Sequence, residues 1–441
     1  MTGHVFDRIP GRPVAVAARG CTIVTADGTE YLDASGGAIA NSIGHGHPAV
    51  VGAMAAQAAA VDYVHATQFT TGVLHDYADR LAGLVPIDDV RVFPVSGGSE
   101  ANETALKLAR SYHLARGEDR HVIVARAGAY HGNTRGVLDA SDRAGLRAGY
   151  EPWIGRTLRV PSANRYRDDR TGAELAEETE RIMLDAGVDR IAAFVAEPIS
   201  GATLGAALPP DGYWPAIAEM CRRHGVLLIL DEVMTGFGRT GAWFAADHDE
   251  IRPDIITAGK GASSGYWPLG LCLVSGAVAD TVQRAGNFVH GFTWSHHPIG
   301  AAVAAAVLDV MIDEHLVDNA GPKGDRLRAE LRHRLSDHPH VGDIRGRGLL
   351  TAVEFVADRT DASPFDRAET VAERVTAACF DRRMTVYPCT SSVDGAVGDA
   401  VLLGPPLSVT DVELDQITSR LAEAIQASIG PGRSPSRCGA A

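Results

Sequence analysis

Two kinds of apolar segment alternate through the middle of the chain. Continuous runs at residues 226–230 and 255–258 have the length of strands, whereas residues 100–113 and 174–185 follow the pattern of helices. A strand that is apolar on both faces is typical of a parallel sheet covered by helices on each side. The alternation predicts an α/β fold whose large domain is a three-layer structure over residues 60–310.

The ends of the chain follow other patterns. Short β-type runs occur at residues 14–17, 21–25 and 30–33, and the two short runs around Asp27-Gly28 predict a hairpin. Helical and β-type runs after Lys323 predict a smaller α+β domain, which the hairpin completes. The expected regions are an N-terminal segment packed with the small domain, the large domain, the small domain and a disordered tail: residues 1–59, 60–310, 311–429 and 430–441.

Composition disfavours several classes of partner. The formal net charge of −14 disfavours nucleic acid, because phosphate binding requires clustered positive charge. The longest apolar stretch, residues 299–312, contains Asp309 and is too short to cross a bilayer. No charged and then apolar leader begins the chain, and the six cysteines are scattered without CxxC pairs. We therefore expect a cytoplasmic protein with reduced cysteines.

Lysine is rare, since only three lysines stand among 41 Lys and Arg residues. Lys107 lies in a helical pattern, where a solvated position is expected. Lys323 follows Gly-Pro in a polar stretch that predicts the start of a surface helix. Lys260 instead ends an apolar run, and burial there lowers the pKa of a lysine and favours the free amine, which can form a Schiff base. Lys260 is therefore the candidate catalytic lysine.

Three further features follow predicted strands, where open parallel sheets bind ligands. Ser96-Gly-Gly-Ser-Glu100 joins a strand to a helix; its backbone can hold an anion, or it is a plain Gly-rich turn. Tyr130 can stack on a flat ring or cover the core. Glu197 can be a functional acid or an edge carboxylate satisfied by its neighbours.

Asp231 closes the apolar strand at residues 226–230. An ionised carboxylate buried there needs a cationic or strongly donating partner. A protonated pyridine nitrogen meets this requirement, and its charge makes the ring an electron sink. A metal held by Asp231 and Glu232, or a structural cap, are the alternatives. No His or Cys with ligand spacing accompanies the pair, so no metal is expected.

Together these features meet the requirements of pyridoxal 5′-phosphate (PLP): a phosphate cradle, a stacking aromatic, a strand-end Asp and a strand-end Lys. The motifs also resemble those of the class III (omega) aminotransferases, over about residues 28–406. The matching segments are Ser96-Gly-Gly-Ser-Glu-Ala-Asn-Glu-Thr-Ala-Leu-Lys-Leu-Ala-Arg110, Tyr130-His-Gly132, Glu197-Pro198, Asp231-Glu-Val-Met-Thr-Gly-Phe-Gly-Arg-Thr-Gly241, Pro253-Asp-Ile-Ile-Thr-Ala-Gly-Lys260 and Thr293-Trp-Ser-His-His-Pro298.

The resemblance implies fold type I of the PLP-dependent enzymes, usually a homodimer with active sites at the subunit interface. By this likeness Gly98 and Ser99 would hold the cofactor phosphate. Thr293 would reach the phosphate of the neighbouring subunit's cofactor, so a homodimer with shared active sites is expected here.

The resemblance also implies how the cofactor ring is held. Tyr130 would stack on one face of the ring and Val233 would pack on the other. Asp231 would bind the pyridine nitrogen, with Glu197 in the same polar network. Lys260 would form the Schiff base and then move a proton between substrate and cofactor.

The expected reaction is transamination between an amine and a carbonyl compound, with the cofactor passing through pyridoxamine phosphate. The family also contains PLP-dependent mutases, epimerases and decarboxylases, and the cofactor motifs do not separate these activities. A non-catalytic PLP-binding regulator is a further alternative. The complete set of cofactor positions and the lack of a DNA-binding extension weaken it.

The substrate-recognition positions depart from the family. Many members have an arginine three residues before the Pro-Pro of the C-terminal domain, where this chain has Leu402. Arg135 and Arg143 are candidates to bind a substrate carboxylate instead. The hydroxyl-rich segment 390–392 and the acidic net charge suit a cationic amino sugar, as in the class III aminotransferases of aminoglycoside-antibiotic biosynthesis. The alternative is an ordinary ω-amino-acid or diamine aminotransferase with a relocated arginine.

Overall fold

The computed structural model describes residues 4–430. The tail that the sequence predicts to be disordered, residues 430–441, lies outside this range from residue 431 on. The strands are β1 Ala15–Arg19, β2 Thr22–Thr25, β3 Glu30–Asp33, β4 Arg91–Val95, β5 Val122–Arg126, β6 Leu158–Val160, β7 Ile191–Ala196, β8 Leu227–Asp231, β9 Ile255–Ala258, β10 Gly270–Val274, β11 Val341–Arg347, β12 Leu350–Phe355, β13 Met384–Thr385, β14 Tyr387–Cys389 and β15 Asp399–Leu403. The helices are α1 Gly36–Ile39, α2 Pro48–Ala60, α3 Gly72–Ala82, α4 Gly98–Ala115, α5 Arg135–Ala140, α6 Ala144–Arg147, α7 Gly172–Asp185, α8 Tyr213–His224, α9 Gly276–Arg284, α10 Pro298–Asp313, α11 Leu316–Leu335, α12 Val371–Asp381 and α13 Asp411–Ile429.

Seven strands form the central sheet, in the order β4-β10-β9-β8-β7-β5-β6. Alternate side chains of β8 enter two different apolar clusters: Leu228 and Leu230 pack on one face, and Leu227 and Ile229 on the other. Helix α4 covers the second face. The continuous apolar runs are therefore strands buried on both sides, and the predicted α/β fold is confirmed.

The direction of one strand differs from the parallel sheet that the sequence suggested. β10 is antiparallel to both of its neighbours, β4 and β9, whereas β5 to β9 pair in parallel. A fully apolar strand carries no mark of its direction, because both faces are buried in either orientation.

Four neighbouring parallel strands end at one edge of this sheet. Tyr130 follows β5, Glu197 follows β7, Asp231 is the last residue of β8, and Lys260 lies two residues after β9. Because parallel strands direct their carboxyl ends to the same edge, the fold places all four residues there.

Two four-stranded sheets lie outside the central sheet, in the orders β1-β2-β3-β13 and β11-β12-β15-β14. The N-terminal hairpin joins the C-terminal part of the chain, because Leu32 of β3 pairs in parallel with Met384 of β13. The domain boundaries proposed from the sequence, after residues 59 and 310, stay a prediction.

Helix α11 begins earlier than the sequence suggested. Lys323 was expected at the start of a helix, yet α11 starts at Leu316 and contains Pro322. The Lys323 Nζ atom donates a hydrogen bond to the carbonyl oxygen of Leu407 at 3.2 Å, which ties the helix to the segment after β15. Gly321-Pro322 resembles a helix break in sequence, but tertiary packing overrides that preference.

Over residues 4–430, no helix is both long and apolar enough to cross a membrane. Within the same range, no group of three or more His, Cys, Asp or Glu side chains could hold a metal ion. The five cysteines of that range are buried and unpaired: Cys21, Cys221, Cys272, Cys379 and Cys389.

Candidate active site

Seven of the eight residues predicted to bind a cofactor line one pocket of about 170 Å³ at the carboxyl edge of the central sheet. They are Gly98, Ser99, Tyr130, Glu197, Asp231, Val233 and Lys260. The eighth, Thr293, is exposed and does not line this pocket. Its carbonyl oxygen accepts a hydrogen bond from the Tyr63 hydroxyl at 3.2 Å.

The N-terminus of α4 forms one wall of the pocket. Gly98 and Ser99 are the first residues of this 18-residue helix, so their backbone amides precede the repeating hydrogen bonds of the helix. A Cβ atom at Gly98 would lie 2.8 Å from Val233 Cγ1, so only glycine lets the helix end approach Val233 this closely. Free amides and the positive end of the helix dipole make this wall suited to an anion.

Asp231 is held in place by three donors. Its Oδ2 atom accepts hydrogen bonds from Asn102 Nδ2 and His131 Nδ1, both at 2.8 Å, and its Oδ1 atom accepts one from the Val233 amide at 3.0 Å. Asn102 is fixed in turn by the Thr257 hydroxyl, which donates to Asn102 Oδ1 at 2.8 Å. Since the carboxylate can only accept, His131 carries its proton on Nδ1.

Glu197 positions the loop that carries Tyr130. The Glu197 carboxylate accepts hydrogen bonds from the backbone amides of Tyr130, at 3.1 Å, and Gly201, at 2.9 Å. Burial raises the pKa of the Glu197 carboxyl, and the nearby Asp231 charge adds to the rise, whereas His131 opposes it. Glu197 therefore acts on the pocket through the backbone of Tyr130, as a positioning residue.

Lys260 is the cationic group of the pocket. Its pKa is lowered from 10.5 to about 8: burial is the main cause and the Arg239 charge adds to it, while the charges of Asp231 and Glu197 oppose the fall. Its φ of 38° places a non-glycine residue in the left-handed region, directly after Gly259. A depressed pKa and a strained backbone at one residue are the marks of a functional lysine.

Sequence reasoning missed two polar side chains of the site, Asn102 and His131. Both lie inside segments that carried the resemblance, and neither received a role. Asn102 and Asp231 are 129 positions apart in the chain, so their contact exists only in the fold. The signal that could have found them is physical: a buried carboxylate needs donors, and these are polar residues in the neighbouring strand-end segments.

The two arginines proposed for a substrate carboxylate lie in different places. Arg135 is exposed, and its Nε atom donates to the carbonyl oxygen of Trp153 at 3.0 Å. Arg143 is half-buried and lines a second cavity, together with Tyr387 and residues of the hydroxyl-rich segment 390–392.

Comparison with known proteins agrees with this pocket. The family model described as aminotransferase class-III matches residues 10–425. The chain belongs to the class III aminotransferase family. The uncharacterized aminotransferase YodT of Bacillus subtilis is 35% identical over 94% of this chain and 95% of its own length. The putrescine–pyruvate aminotransferase of Pseudomonas aeruginosa is 30% identical over 92% of this chain and 89% of its own length.

Solved structures of omega-transaminases match nearly the whole length of the chain. An (S)-enantioselective omega-transaminase from Thermomicrobium roseum matches with a TM-score of 0.91 and 36% identity over 97% of each chain. The omega transaminase from Pseudomonas jessenii, solved in complex with PMP, matches with a TM-score of 0.90 and 31% identity over 96% of this chain and 95% of its own. This class III aminotransferase therefore has fold type I and uses PLP.

The residues of the pocket fit that cofactor. The wall at Gly98 and Ser99 suits a phosphate, and Asp231 supplies a fixed negative charge for a protonated ring nitrogen. In addition, the buried Nε2 atom of His131 has no hydrogen-bond partner within residues 4–430. A buried polar atom is normally paired, so this nitrogen is left for a bound group or water.

Proposed function

We propose that this class III aminotransferase moves an amino group between an amine and a carbonyl compound in the pocket that contains Asp231 and Lys260. The observation that carries the proposal is a lysine with its pKa lowered to about 8 in the same pocket as a buried carboxylate. The lysine supplies a free amine near neutral pH, and the carboxylate supplies the negative charge that a cationic ring requires.

When bound, PLP supplies an aldehyde that condenses with amines and a pyridine ring that accepts electrons. We assign the phosphate to the α4 backbone amides of Gly98 and Ser99, and the ring nitrogen to the strand-end carboxylate of Asp231. The two faces of the ring would contact the aromatic side chain of Tyr130 and the aliphatic side chain of Val233. Three donors to Asp231 support its part, because their hydrogen bonds hold the carboxylate in one orientation.

Lys260 would hold the cofactor and also move the proton at the reacting carbon of the substrate. An acid or base is most effective when its pKa lies near the working pH, because both protonation states are then populated. Burial brings the Lys260 pKa to about 8, against 10.5 for a solvated lysine. Glu197 and Asp231 keep the pKa from falling further, so the amine remains able to take up a proton.

The test is a half-reaction. The purified holoenzyme is mixed with a panel of amines, and pyridoxamine phosphate is followed by absorbance and by chromatography of the released cofactor. Accumulation of pyridoxamine phosphate supports transamination. An epimerase or decarboxylase of this family would return the starting cofactor without accumulating pyridoxamine phosphate, and a mutase would release an isomer of the amine in place of a carbonyl compound. A PLP-binding regulator would show no turnover.

A homodimer with shared active sites forms part of the proposal. Thr293 is exposed, and the neighbouring Trp294 is 57% exposed in the single chain. Large exposed aromatics of this kind suit a protein–protein contact. Thr293 would then reach the cofactor phosphate of the partner subunit.

The substrate proposal follows the charges beside the pocket. The second cavity holds Thr390 and Ser391, which suit a polyhydroxylated substrate, but it also holds several arginines, which repel a cationic amino sugar or a diamine. We therefore place an ω-amino acid before an amino sugar of the aminoglycoside type. If amino sugars outpace 4-aminobutyrate and β-alanine by about tenfold in kcat/KM, this order is wrong.

A further inference from the structure

A second cavity of about 960 Å³ lies beside the active-site pocket. The N-terminal segment contributes Arg8 and Arg12, the turn before α6 contributes Arg143, and the segment after β14 contributes Thr390 and Ser391. Three separate parts of the chain therefore converge on one concave surface that the cofactor residues do not use.

The charges in this cavity are unbalanced. Within residues 4–430, no carboxylate oxygen lies within 4 Å of a guanidinium nitrogen of Arg8, Arg12 or Arg143. Asp7 is the one carboxylate in the described lining of the cavity. Arg367, a further arginine of the lining, is different, because its guanidinium is paired with Glu373. An arginine without a carboxylate has donors in a fixed planar fork that matches the oxygens of a carboxylate or a phosphate.

A buried hydroxyl in the same lining gives independent support. Ser391 is 4% exposed, and its Oγ atom has no hydrogen-bond partner within the described residues. Buried polar atoms are normally paired, so an unpaired hydroxyl in the wall of a cavity is available to a ligand. The hydroxyl can donate to an anionic oxygen, as the arginines do.

The cavity adjoins the active-site pocket through Tyr130. Burial raises the pKa of the Tyr130 phenol; the Tyr387 phenol adds to the rise, and the charge of Arg143 opposes it. Tyr130 lines the active-site pocket, Arg143 and Tyr387 line the second cavity, and both tyrosines pack on the same apolar cluster. The Asp142 amide, next to Arg143, donates a hydrogen bond to the carbonyl oxygen of Ala129, next to Tyr130, at 2.7 Å, so Arg143 lies close to the loop that carries Tyr130.

We propose that this cavity, which we call the arginine cavity, binds an anionic tail of the substrate. Arg8, Arg12 and Arg143 then select substrates that carry a carboxylate or phosphonate-like group away from the reacting amine. The inference rests on the proposed function for the position of the amine. It adds a recognition site built from the N-terminal segment and the turn before α6. The excess of arginines over carboxylates predicts that a doubly charged tail binds at least as well as a singly charged one.

The first experiment varies the charge of the tail and keeps its length. 4-Aminobutanamide, 4-aminobutyrate and 3-aminopropylphosphonate carry the same three-carbon amine with a neutral, singly charged and doubly charged end group. We expect kcat/KM for pyridoxamine phosphate formation to be about 10- to 100-fold higher for both anions than for the amide, as for other hydrogen bonds to charged groups. An amide that reacts within about threefold of both anions would refute the proposal.

The second experiment assigns the selectivity to the arginines. Arg143→Leu, and a double Arg8→Leu, Arg12→Leu variant, should lower kcat/KM for the anions and leave the amide nearly unchanged. Arg284→Leu, which removes an arginine that is 72% exposed on α9, is the matched control and should change neither. Equal losses for anions and amide would show that Arg143 only supports the fold, and would overturn the proposal. If Arg143→Leu fails to fold, Arg143→Lys, which keeps the charge and loses the fork, should weaken the anions by a smaller factor.

The third experiment does not depend on turnover. Propylphosphonate has no amine, so its binding to the holoenzyme, measured by calorimetry at two salt concentrations, reports the arginine cavity alone. We expect binding that weakens with salt and is lost in Arg143→Leu but not in Arg284→Leu. If none of the amines yields pyridoxamine phosphate, the proposed function is wrong, and propylphosphonate binding still decides whether the arginine cavity holds an anion. Absence of that binding, or binding unchanged in Arg143→Leu, would refute the site.

Discussion

Lys260 occupies a backbone conformation that few side chains adopt, with φ at 38° two residues after the end of β9. Such strain persists only where the surrounding structure fixes it, and it is concentrated at functional sites. Two nearby carboxylates moderate the pKa of Lys260, since the charges of Asp231 and Glu197 limit the fall that burial causes. The catalytic part of Lys260 stays a prediction, and the strained backbone and the lowered pKa both support it.

The lowered pKa of Lys260 predicts how cofactor capture depends on pH. The free amine is the reactive form, so the rate at which apoprotein binds PLP covalently should rise with pH and level off above about 8. Stopped-flow absorbance measures this rate. A rate that still rises towards the ordinary value of 10.5 would indicate a solvated lysine. Borohydride should fix the cofactor in Lys107→Ala, which removes an exposed lysine, and fail to fix it in Lys260→Ala.

Replacement of Asp231 tests the charge at the ring nitrogen. Asp231→Ala should keep some cofactor bound and lower turnover by about 100-fold or more, because a fixed charge in a water-poor site contributes strongly to catalysis. Glu232→Gln is the control: Glu232 is equally buried, but it accepts hydrogen bonds from Thr235, Ala245 and Ala246 and does not line the pocket. Glu232→Gln should lower the melting temperature and leave the turnover rate of the PLP-bound enzyme nearly unchanged. Near-normal rates in Asp231→Ala would contradict the assignment.

At the residue scale, sequence reasoning identified the charged groups that are costly to bury, and it missed the residues that donate hydrogen bonds to them. A lysine or an aspartate at the end of an apolar strand is conspicuous in the sequence. Asn102 and His131 are ordinary polar residues until the fold places both against Asp231. The polar partners of a buried charge come from other strands, and their identity depends on tertiary geometry that local pattern does not contain.

At the scale of elements, apolar runs predicted β7, β8 and β9, and a helical pattern predicted α8 between β7 and β8. Two features were not predictable in this way. The antiparallel direction of β10 leaves no trace in a strand buried on both faces, and the start of α11 at Leu316 is hidden by Gly321-Pro322. In both cases packing against neighbouring elements, and not local preference, decides the structure.

The contact between α4 and the loop after β8 gives a prediction at this scale. Gly98→Ala places a Cβ atom 2.8 Å from Val233 Cγ1, so α4 must shift, and we expect PLP to bind about tenfold more weakly. In the double variant Gly98→Ala, Val233→Ala, the second substitution removes both Cγ methyl groups of Val233. This relieves the contact with the added Cβ atom, so part of the affinity for PLP should return. Gly52→Ala, at an exposed helical glycine whose added Cβ meets nothing within 4 Å, is the control. Spectroscopic titration of apoprotein measures each affinity; an unchanged value in Gly98→Ala would show that the helix end does not hold the phosphate.

At the scale of the whole molecule, the single chain leaves one predicted cofactor residue away from the pocket. Thr293 lies on an exposed segment beside Trp294, and the Tyr63 hydroxyl fixes its backbone. A conformation held in this way, with the side chain at the surface, is expected of a residue that serves a second copy of the chain. The dimer hypothesis therefore makes a prediction about which subunit Thr293 assists.

Subunit mixing tests that prediction. Lys260→Ala and Thr293→Ala chains are each purified with low activity and then mixed under conditions that exchange subunits. If Thr293 serves the partner subunit's site, a mixed dimer has one site with both defects and one with neither. Random exchange makes about half of all dimers mixed, so roughly a quarter of wild-type activity should appear. If Thr293 instead acts within its own chain, every site keeps one defect and no activity returns. Light scattering at the assay concentration measures dimerisation, and two different affinity tags on the two variants, recovered in one dimer, show that exchange occurred. A Lys260→Ala sample mixed with itself gives the background activity.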